Sequence, residues 1–407
     1  MTGGERDMKP ELLAPAGSLS KLKTAFYFGA DAVYLGGKNF SLRTFADNFT
    51  EEELVEGIAY AHARGKKVYV CANIFAKNAD FAEMGVYFKK LCEAGADGVL
   101  ISDPGVFRLC RRLAPDLPVH ISTQANTLNA EAAAFWTEQG ATRVVLAREL
   151  SVSEIEEIHK ANPALELEAF VHGAMCISYS GRCYLSDFLD GRASNRGACV
   201  QACRWNYRIA RGDGGGDWYD LETDGKGTYV MNSKDLNMSA HLGELAAAGV
   251  SSFKIEGRMK SEYYLATVVN AYRRILDGGY SAALGRELTC AAHRDYTTAY
   301  AFGENRETVS YGNSQTGGAC EYVANVIGYR DGEVAVEMRN RFREGDELEI
   351  LSPSDRFGKR FTVADLRDRA GARCSDAKLV QAEYRMACPY PLEKGDILRR
   401  RTNGMES

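Results

Sequence analysis

Four stretches of this 407-residue chain repeat one pattern, and the pattern limits the folds open to it. "FGADAVYLGG" (28–37), "AGADGVLIS" (94–102), "QGATRVVLARE" (139–149) and "AGVSSFKIEGR" (248–258) each carry a Gly that ends an amphipathic segment, then a short polar turn, then a β-branched apolar run. Gly suits the left-handed position that closes a helix. An apolar run without alternation suits a strand buried on both faces. The unit is the helix-to-strand half of a βα repeat.

Filling the gaps gives eight such strands, near 11–17, 32–37, 67–73, 98–102, 118–123, 143–149, 165–173 and 252–258. Helical periodicity lies between most of them. "TEEELVEGIAYAHARG" opens with Thr50 three positions before Glu53, the spacing of a capping box. Eight parallel strands with crossovers over about 250 residues predict an α/β fold of the (β/α)8 TIM-like barrel type. A doubly wound sheet is the alternative, because periodicity does not reveal closure.

The spacing breaks once. Roughly 80 residues separate the seventh strand from the eighth. A structureless loop of that length is unusual, so a folded, Cys-rich insertion is expected over 174–235. It follows the C-terminal end of a strand, the face on which barrels build active sites. After about residue 290 the texture alternates apolar and polar, with "RDGE" as a tight-turn signal. The expected organisation is a barrel over 10–288 including the insertion, a connecting segment over 289–318, and a small C-terminal all-β, barrel-like domain over 319–403.

No run of 18 apolar residues occurs and the start carries no apolar leader, so a cytoplasmic protein with no membrane partner is expected. The net charge of −5 means that any nucleic-acid surface must be local. Eleven cysteines in such a chain read as free thiols rather than disulfides. Cys71, Cys92 and Cys110 lie in apolar runs and read as packing residues.

Four cysteines differ from the rest. Cys176, Cys183, Cys199 and Cys203, in "EAFVHGAMCISYSGRCYLS" and "RGACVQACRW", are spaced C-x6-C-x15-C-x3-C among Gly, Ser and Arg. Ordinary buried thiols are one explanation, although the neighbours are not core residues. Zinc favours closely spaced pairs, which only Cys199 and Cys203 supply. An iron–sulfur cluster also takes four thiolates and tolerates wider gaps. Spacing leaves zinc and iron–sulfur open.

The stretch from Glu168 to Ser186 resembles the signature of the collagenase-like peptidase family, family U32. Glu168, Phe170, Gly173, Cys176, Gly181, Cys183 and Ser186 carry the match, and "PELLAPAGS", "LRTFADNF", "MNSKDL" and "KIEGRMKS" add to it. The resemblance runs from about residue 10 to 285, and the terminal β domain looks like one that many members carry. The family name implies proteolysis, whereas branches of it act in RNA modification and in oxygen-independent ubiquinone hydroxylation. Those branches carry a [4Fe–4S] cluster on four cysteines, which implies Cys176, Cys183, Cys199 and Cys203 as metal ligands here. The layout most resembles the branch implicated in 5-hydroxyuridine formation at the tRNA wobble position. That resemblance implies tRNA as partner, prephenate as co-substrate and, since members sometimes work in pairs, a paralogous family member as a second partner.

Other candidates fall at the expected C-terminal strand ends. His172, Asp103, Gln124, Glu256 and Arg258 are candidate catalytic residues, with Asn73 and Glu149 beside them; Arg43 and Arg258 are candidates for holding a carboxylate or phosphate co-substrate. For each taken singly, a capping or structural role is as reasonable. His172 suits general acid–base work or substrate contact, against a histidine satisfied by a backbone carbonyl. Lys254 and Glu256 share strand parity and are expected to pair inside the barrel. Arg182, Arg192, Arg196, Arg204 and Arg208 crowd the insertion, with Tyr179, Tyr184, Trp205 and Tyr207 interleaved. Arginine with aromatics suits phosphate contact and base stacking, so Arg182, Arg192, Arg196, Arg204 and Trp205 are the expected RNA-binding residues. Charge balance for an anionic cluster is the alternative.

Three functions remain open at this point: an iron–sulfur RNA hydroxylase, a peptidase, and a scaffold in which the cluster is a clip. Neither HExxH nor GxSxG occurs, so the common zinc and serine peptidase mechanisms lack their motifs.

Overall fold

The computed structural model describes residues 9–41, 48–205, 207, 209–210, 218–219, 231–303, 308–310 and 316–402. All eight expected strands form: β1 (Glu11–Pro15), β2 (Ala32–Gly36), β3 (Lys67–Cys71), β4 (Gly98–Ile101), β5 (Val119–Ile121), β6 (Arg143–Val145), β7 (Glu166–Ala174) and β8 (Val250–Ile255). Strands β1 to β7 pair in parallel with their sequence neighbours. Strand β8 pairs in parallel with both β7 and β1, which closes the barrel and excludes the doubly wound sheet.

The helices are α1 (Leu19–Tyr27), α2 (Glu51–His62), α3 (Phe81–Ala94), α4 (Pro104–Leu113), α5 (Ala130–Glu138) and α6 (Val152–Ala161). The short α7 (Leu185–Asp190) and α8 (Leu242–Ala247) lie between β7 and β8, and α9 (Glu262–Gly278) and α10 (Ala282–Glu287) follow β8. Local chemistry explains their ends. Thr50 Oγ1 accepts from the Glu53 amide at 3.1 Å while Glu53 accepts from the Thr50 amide at 2.9 Å, so the capping box forms. Gly95 ends α3 at φ 78°, where its amide reaches the Leu91 and Cys92 carbonyls. Among the described residues no helix is long and apolar enough to cross a membrane.

Strand β2 is buried at all five positions, as its unbroken apolar run requires. Inside the barrel, Leu13, Tyr34, Tyr69, Cys71, Leu100 and Val145 pack with Phe170. Two residues nearer the strand starts lies a polar layer. Glu168 accepts from Lys254 Nζ at 2.6 Å, Arg143 Nη1 at 3.0 Å and Ser252 Oγ at 3.3 Å, and Arg143 also donates to Glu11 at 2.7 Å. The expected Lys254–Glu256 pair is replaced by Lys254–Glu168, because in a closed barrel the nearest inward neighbour sits on the adjacent strand. Cys71 and Cys110 are buried, as packing residues should be; Cys92, on α3, is exposed and is corrected on that count.

Two compact units divide the described residues. One lies within Met1–Lys23, Ala30–Met259 and Arg294–Gln315, the other within Thr24–Gly29, Lys260–His293 and Thr316–Ser407. In the second unit, β9 (Cys320–Arg330), β10 (Glu333–Met338), β11 (Glu347–Leu351), β12 (Arg360–Thr362), β13 (Ala364–Asp368), β14 (Glu383–Ala387) and β15 (Ile397–Arg401) form a seven-stranded sheet in the order β12-β11-β15-β9-β10-β14-β13. Asp331 (φ 52°) and Gly332 (φ 85°) make the tight turn between β9 and β10, the two left-handed residues that a type I′ turn demands. One face carries the core of Val323, Val334, Val336, Phe342, Leu348 and Ile350. Arg399 is fully buried and is held by Glu287 and Glu349.

Candidate active site at the barrel mouth

The segment after β7 lies against the loops at the C-terminal ends of β3 and β5. The Phe75 amide donates to the Asn195 carbonyl at 3.1 Å, and Asn126 Nδ2 donates to the Ser180 carbonyl at 2.9 Å. Gly181 (φ 76°) rests on Gln124: a Cβ there would lie 3.1 Å from Gln124 Cγ and 3.3 Å from the Phe75 ring. A side chain at this position would be strained by the positive φ and would press on Gln124.

Four thiols are thereby gathered beside the mouth. Cys176 is exposed, and Cys183, Cys199 and Cys203 are half-buried. Burial pushes the Cys203 thiol up to about 11; Arg204 opposes that rise, and Cys176, Cys199 and Cys183 add to it, so the other three lie within electrostatic reach of Cys203. The Leu185 amide points at Cys183 Sγ and the Gln201 amide at Cys199 Sγ, each at 3.4 Å. Amides two residues on, aimed at sulfur, stabilise thiolates and suit metal-bound cysteine. Among the described residues no three potential ligands already stand close enough to hold a metal ion. The chemistry of the donor set, four thiolates with amides aimed at two of them, fits a four-thiolate metal group.

Arg204 ties this segment together. Its guanidinium donates to the Met175 carbonyl at 2.7 Å, to Asn232 Oδ1 at 2.8 Å and to the Ser233 carbonyl. Arg196 donates to both Asp80 oxygens, at 2.9 and 3.0 Å, and to the Phe75 carbonyl at 2.7 Å. Both are expected RNA contacts; in the fold each also bonds protein acceptors, so each helps to hold the segment together. Arg182 and Trp205 are exposed, and Arg192 is half-buried with Asp190 3.9 Å away. Tyr184 (67% exposed) and Phe188 (79%) extend an aromatic surface past Cys183. Arg43 and Arg208 lie outside the described residues.

The mouth itself is polar. Asn73 Nδ2 donates to Gln124 Oε1 at 2.9 Å and to Ser122 Oγ at 3.2 Å, and the Ser122 hydroxyl also donates to Gln124. His172 is buried on β7, its ring 5.4 Å from that of Tyr296, while its carbonyl accepts from the Glu256 amide at 2.8 Å. The short strand Asp235–Asn237 pairs with β7 on one side and with Tyr296–Thr297 on the other, and so delivers Tyr296 to His172. Glu256 accepts from Tyr34 Oη at 3.0 Å. Burial, reinforced by the Glu256 carboxylate, keeps the Tyr34 phenol protonated.

Arg258 is 3% exposed, donates to Ser41 Oγ at 2.6 Å, and leaves Nε without a partner. A Cβ on Gly36 would stand 2.6 Å from Arg258 Nη1, so the glycine makes room for the guanidinium. An unpaired donor on a buried cation is costly. Asp103 is different: it is the N-cap of α4, accepting from the Val106 amide at 2.9 Å, which is the structural alternative for that residue. Sequence reasoning passed over Tyr34 and Arg148. The Arg148 guanidinium lies 4.0 Å from the centre of the Phe170 ring and donates to the Ala174 carbonyl at 2.7 Å. Inward strand parity pointed to Tyr34; nothing in the sequence marked Arg148 beyond its place at a strand end.

Residues 17–310 match the model for peptidase family U32, and residues 319–399 match the model for that family's C-terminal domain. The chain is 43% identical to "tRNA hydroxylation protein P1" of Bacillus subtilis, covering 85% of this chain and 84% of that one. It is 38% identical to "tRNA hydroxylation protein P" of Escherichia coli, covering 89% and 90%. It is 37% identical to the "23S rRNA 5-hydroxycytidine C2501 synthase" of Escherichia coli, covering 66% of this chain and 39% of that one. The chain belongs to peptidase family U32.

Proposed function

We propose that this protein is an RNA-modifying hydroxylase that acts on tRNA and converts the wobble uridine to 5-hydroxyuridine. The observation that carries the reading is the similarity, over 85% and 89% of the chain, to two relatives named as tRNA hydroxylation proteins. The name of the rRNA relative adds the hydroxylation of a pyrimidine base. An enzyme that works on a base must first take it out of its stack. In this reading the flipped base enters at the mouth, with Asn73, Gln124, His172 and Glu256 as its hydrogen-bonding groups. Exposed Arg182, Trp205, Tyr184 and Phe188 offer phosphate contact and stacking for the flanking nucleotides.

In this proposal Arg258 receives the carboxylate of a small co-substrate, for which prephenate is the candidate. A [4Fe–4S] cluster held by Cys176, Cys183, Cys199 and Cys203 would supply one-electron chemistry beside the mouth. The N–H groups aimed at Cys183 and Cys199 would stabilise its thiolates. The test is nucleoside mass spectrometry of tRNA from a strain lacking the gene, complemented with the wild type or with Cys183→Ala. Loss of 5-hydroxyuridine derivatives that only the wild type restores is expected. Unchanged tRNA under both aerobic and anaerobic growth rejects the reading.

A further inference from the structure

A fifth and sixth cysteine make a second thiol site, separate from the four beside the mouth. Cys290 ends the short helical turn Leu288–Cys290, and Cys320 opens β9. They are thirty positions apart in sequence, yet their sulfurs lie 2.9 Å apart. The backbones are clamped together on both sides. The Ala319 amide donates to the Thr289 carbonyl at 2.8 Å, and His293 and Gly317 form an antiparallel bridge. Gly318 is pressed so close that a Cβ there would stand 2.8 Å from the Cys290 carbonyl oxygen. A disulfide bond measures about 2.05 Å, so the sulfurs need to approach by only about 0.9 Å to be joined.

The surroundings give the two thiols different roles. Cys290 is wholly buried, while Cys320 keeps 8% of its surface open. Glu287 stands 3.9 Å from the Cys290 sulfur. On the Cys320 side, the hydrogen bond with Cys290 favours the thiolate most, and Arg399 and Arg401 favour it further, which holds Cys320 below the ordinary thiol range. Burial opposes that fall without cancelling it, and the small opening at Cys320, against none at Cys290, makes Cys320 the attacking sulfur.

We propose that Cys290 and Cys320 are a redox-active dithiol, a modification site that reacts with low-molecular-weight disulfides and closes to an internal disulfide. In the first step the Cys320 thiolate attacks one sulfur of the reagent RSSR. The reagent's S–S bond breaks, a mixed disulfide forms, and RS⁻ leaves and takes up a proton. In the second step Cys290 gives up its proton and attacks Cys320 Sγ, expelling the second RS⁻, which is protonated in turn. Two protein thiols and one RSSR become one protein disulfide and two RSH; the protein loses two electrons and two protons to the reagent. The bond closes a covalent ring over residues 290–320.

The test uses the full-length protein, purified anaerobically and incubated with oxidised and reduced glutathione at defined ratios. Samples are quenched with acid, alkylated, and mapped by peptide mass spectrometry. A Cys290–Cys320 linked peptide should appear and rise with the ratio, with exactly these two alkylations lost from the second unit. Cys290→Ser should trap Cys320 as a mixed disulfide with glutathione, whereas Cys320→Ser should leave Cys290 unmodified in the folded protein. The mapping of the wild type stands even where a variant folds poorly. No linked peptide at any ratio, or linkage of either residue to a cysteine beside the mouth, overturns the proposal.

Discussion

Arg204 donates to the carbonyl oxygen of Met175 at 2.7 Å, so the residue after the last clustered cysteine grips the residue before the first. With its bonds to Asn232 and Ser233, this one side chain closes the cysteine-bearing segment on itself. Replacing it by Ala leaves three acceptors without their donor. Each unsatisfied buried acceptor costs about 1–3 kcal/mol. With the proposed cluster on the four thiols, Arg204→Ala should therefore lose iron and visible absorption, in protein purified anaerobically, nearly as fully as Cys203→Ala. Full iron content in Arg204→Ala would show that the thiols hold their arrangement without this clamp.

The polar layer inside the barrel sets a limit in acid. Burial pulls His120 down to about 3, and Arg143 adds to the fall, so the folded state keeps this ring neutral while it packs on Tyr69 at 4.6 Å. Burial alone would raise Glu168, yet Lys254 and Arg143 hold it at about 2. Both folded pKa values lie below those of the unfolded chain, so the unfolded state binds more protons as the pH falls. Their contributions are complete above about pH 6.5 for the histidine and above about 4.3 for the carboxylate, and fade towards pH 3 and 2. Urea denaturation between pH 8 and 3 should show stability falling from near pH 6.5 downward. His120→Leu should flatten the upper part of that fall. Lys254→Met should destabilise by about 3–5 kcal/mol at pH 7, because it leaves Glu168 buried with half its compensation.

Arg258 separates binding from folding. Its guanidinium is held by Ser41, with space made by Gly36, and its buried Nε has no hydrogen-bond partner. Lys keeps the charge but loses the planar fork. Arg258→Lys should lower tRNA hydroxylation in complemented cells at least about tenfold, the loss of one charge-assisted contact of about 1.4–3 kcal/mol, with its circular dichroism unchanged. Gly36→Ala, which drives a methyl into the guanidinium, should reproduce the defect. Normal modification by Arg258→Lys would remove this residue from co-substrate recognition.

The strands were legible because they are largely buried on both faces and four of them follow a Gly that ends a helical segment, two signals that one dimension carries. Closure was not, since no local pattern tells β8 that it will meet β7. The same gap explains the misplaced pairings. Lys254 was assigned to Glu256, two residues away, while its partner Glu168 lies 86 positions away on the neighbouring strand. Arg196 and Arg204 looked like surface charge because a cluster of arginines does not display its acceptors. Asp80 is 116 positions from Arg196, and the Met175 acceptor is a carbonyl that any residue could provide. Asp103 stands before Pro104, a common helix start, and the cap was the reading nearest the local chemistry.

That distinction between engaged and exposed arginines yields a prediction about RNA. Arg182 is exposed beside Cys183, with Tyr184 and Phe188 open to solvent a few residues on, whereas Arg196 is locked to Asp80. If nucleotides approach over this surface, Tyr184→Ala and Phe188→Ala should each weaken tRNA binding by about 1–3 kcal/mol, the measured scale of a lost base–aromatic stack. Arg182→Ala should weaken binding and flatten its dependence on salt, because a phosphate contact releases condensed counterion. Arg196→Ala should act differently, lowering the thermal midpoint while leaving the salt slope of correctly folded protein unchanged. The comparison is made by measuring affinity for unmodified tRNA transcripts from 50 to 200 mM salt alongside thermal unfolding of each variant. An Arg196→Ala protein with an intact thermal midpoint and a reduced salt slope would reverse the assignment and return that arginine to the RNA-binding surface.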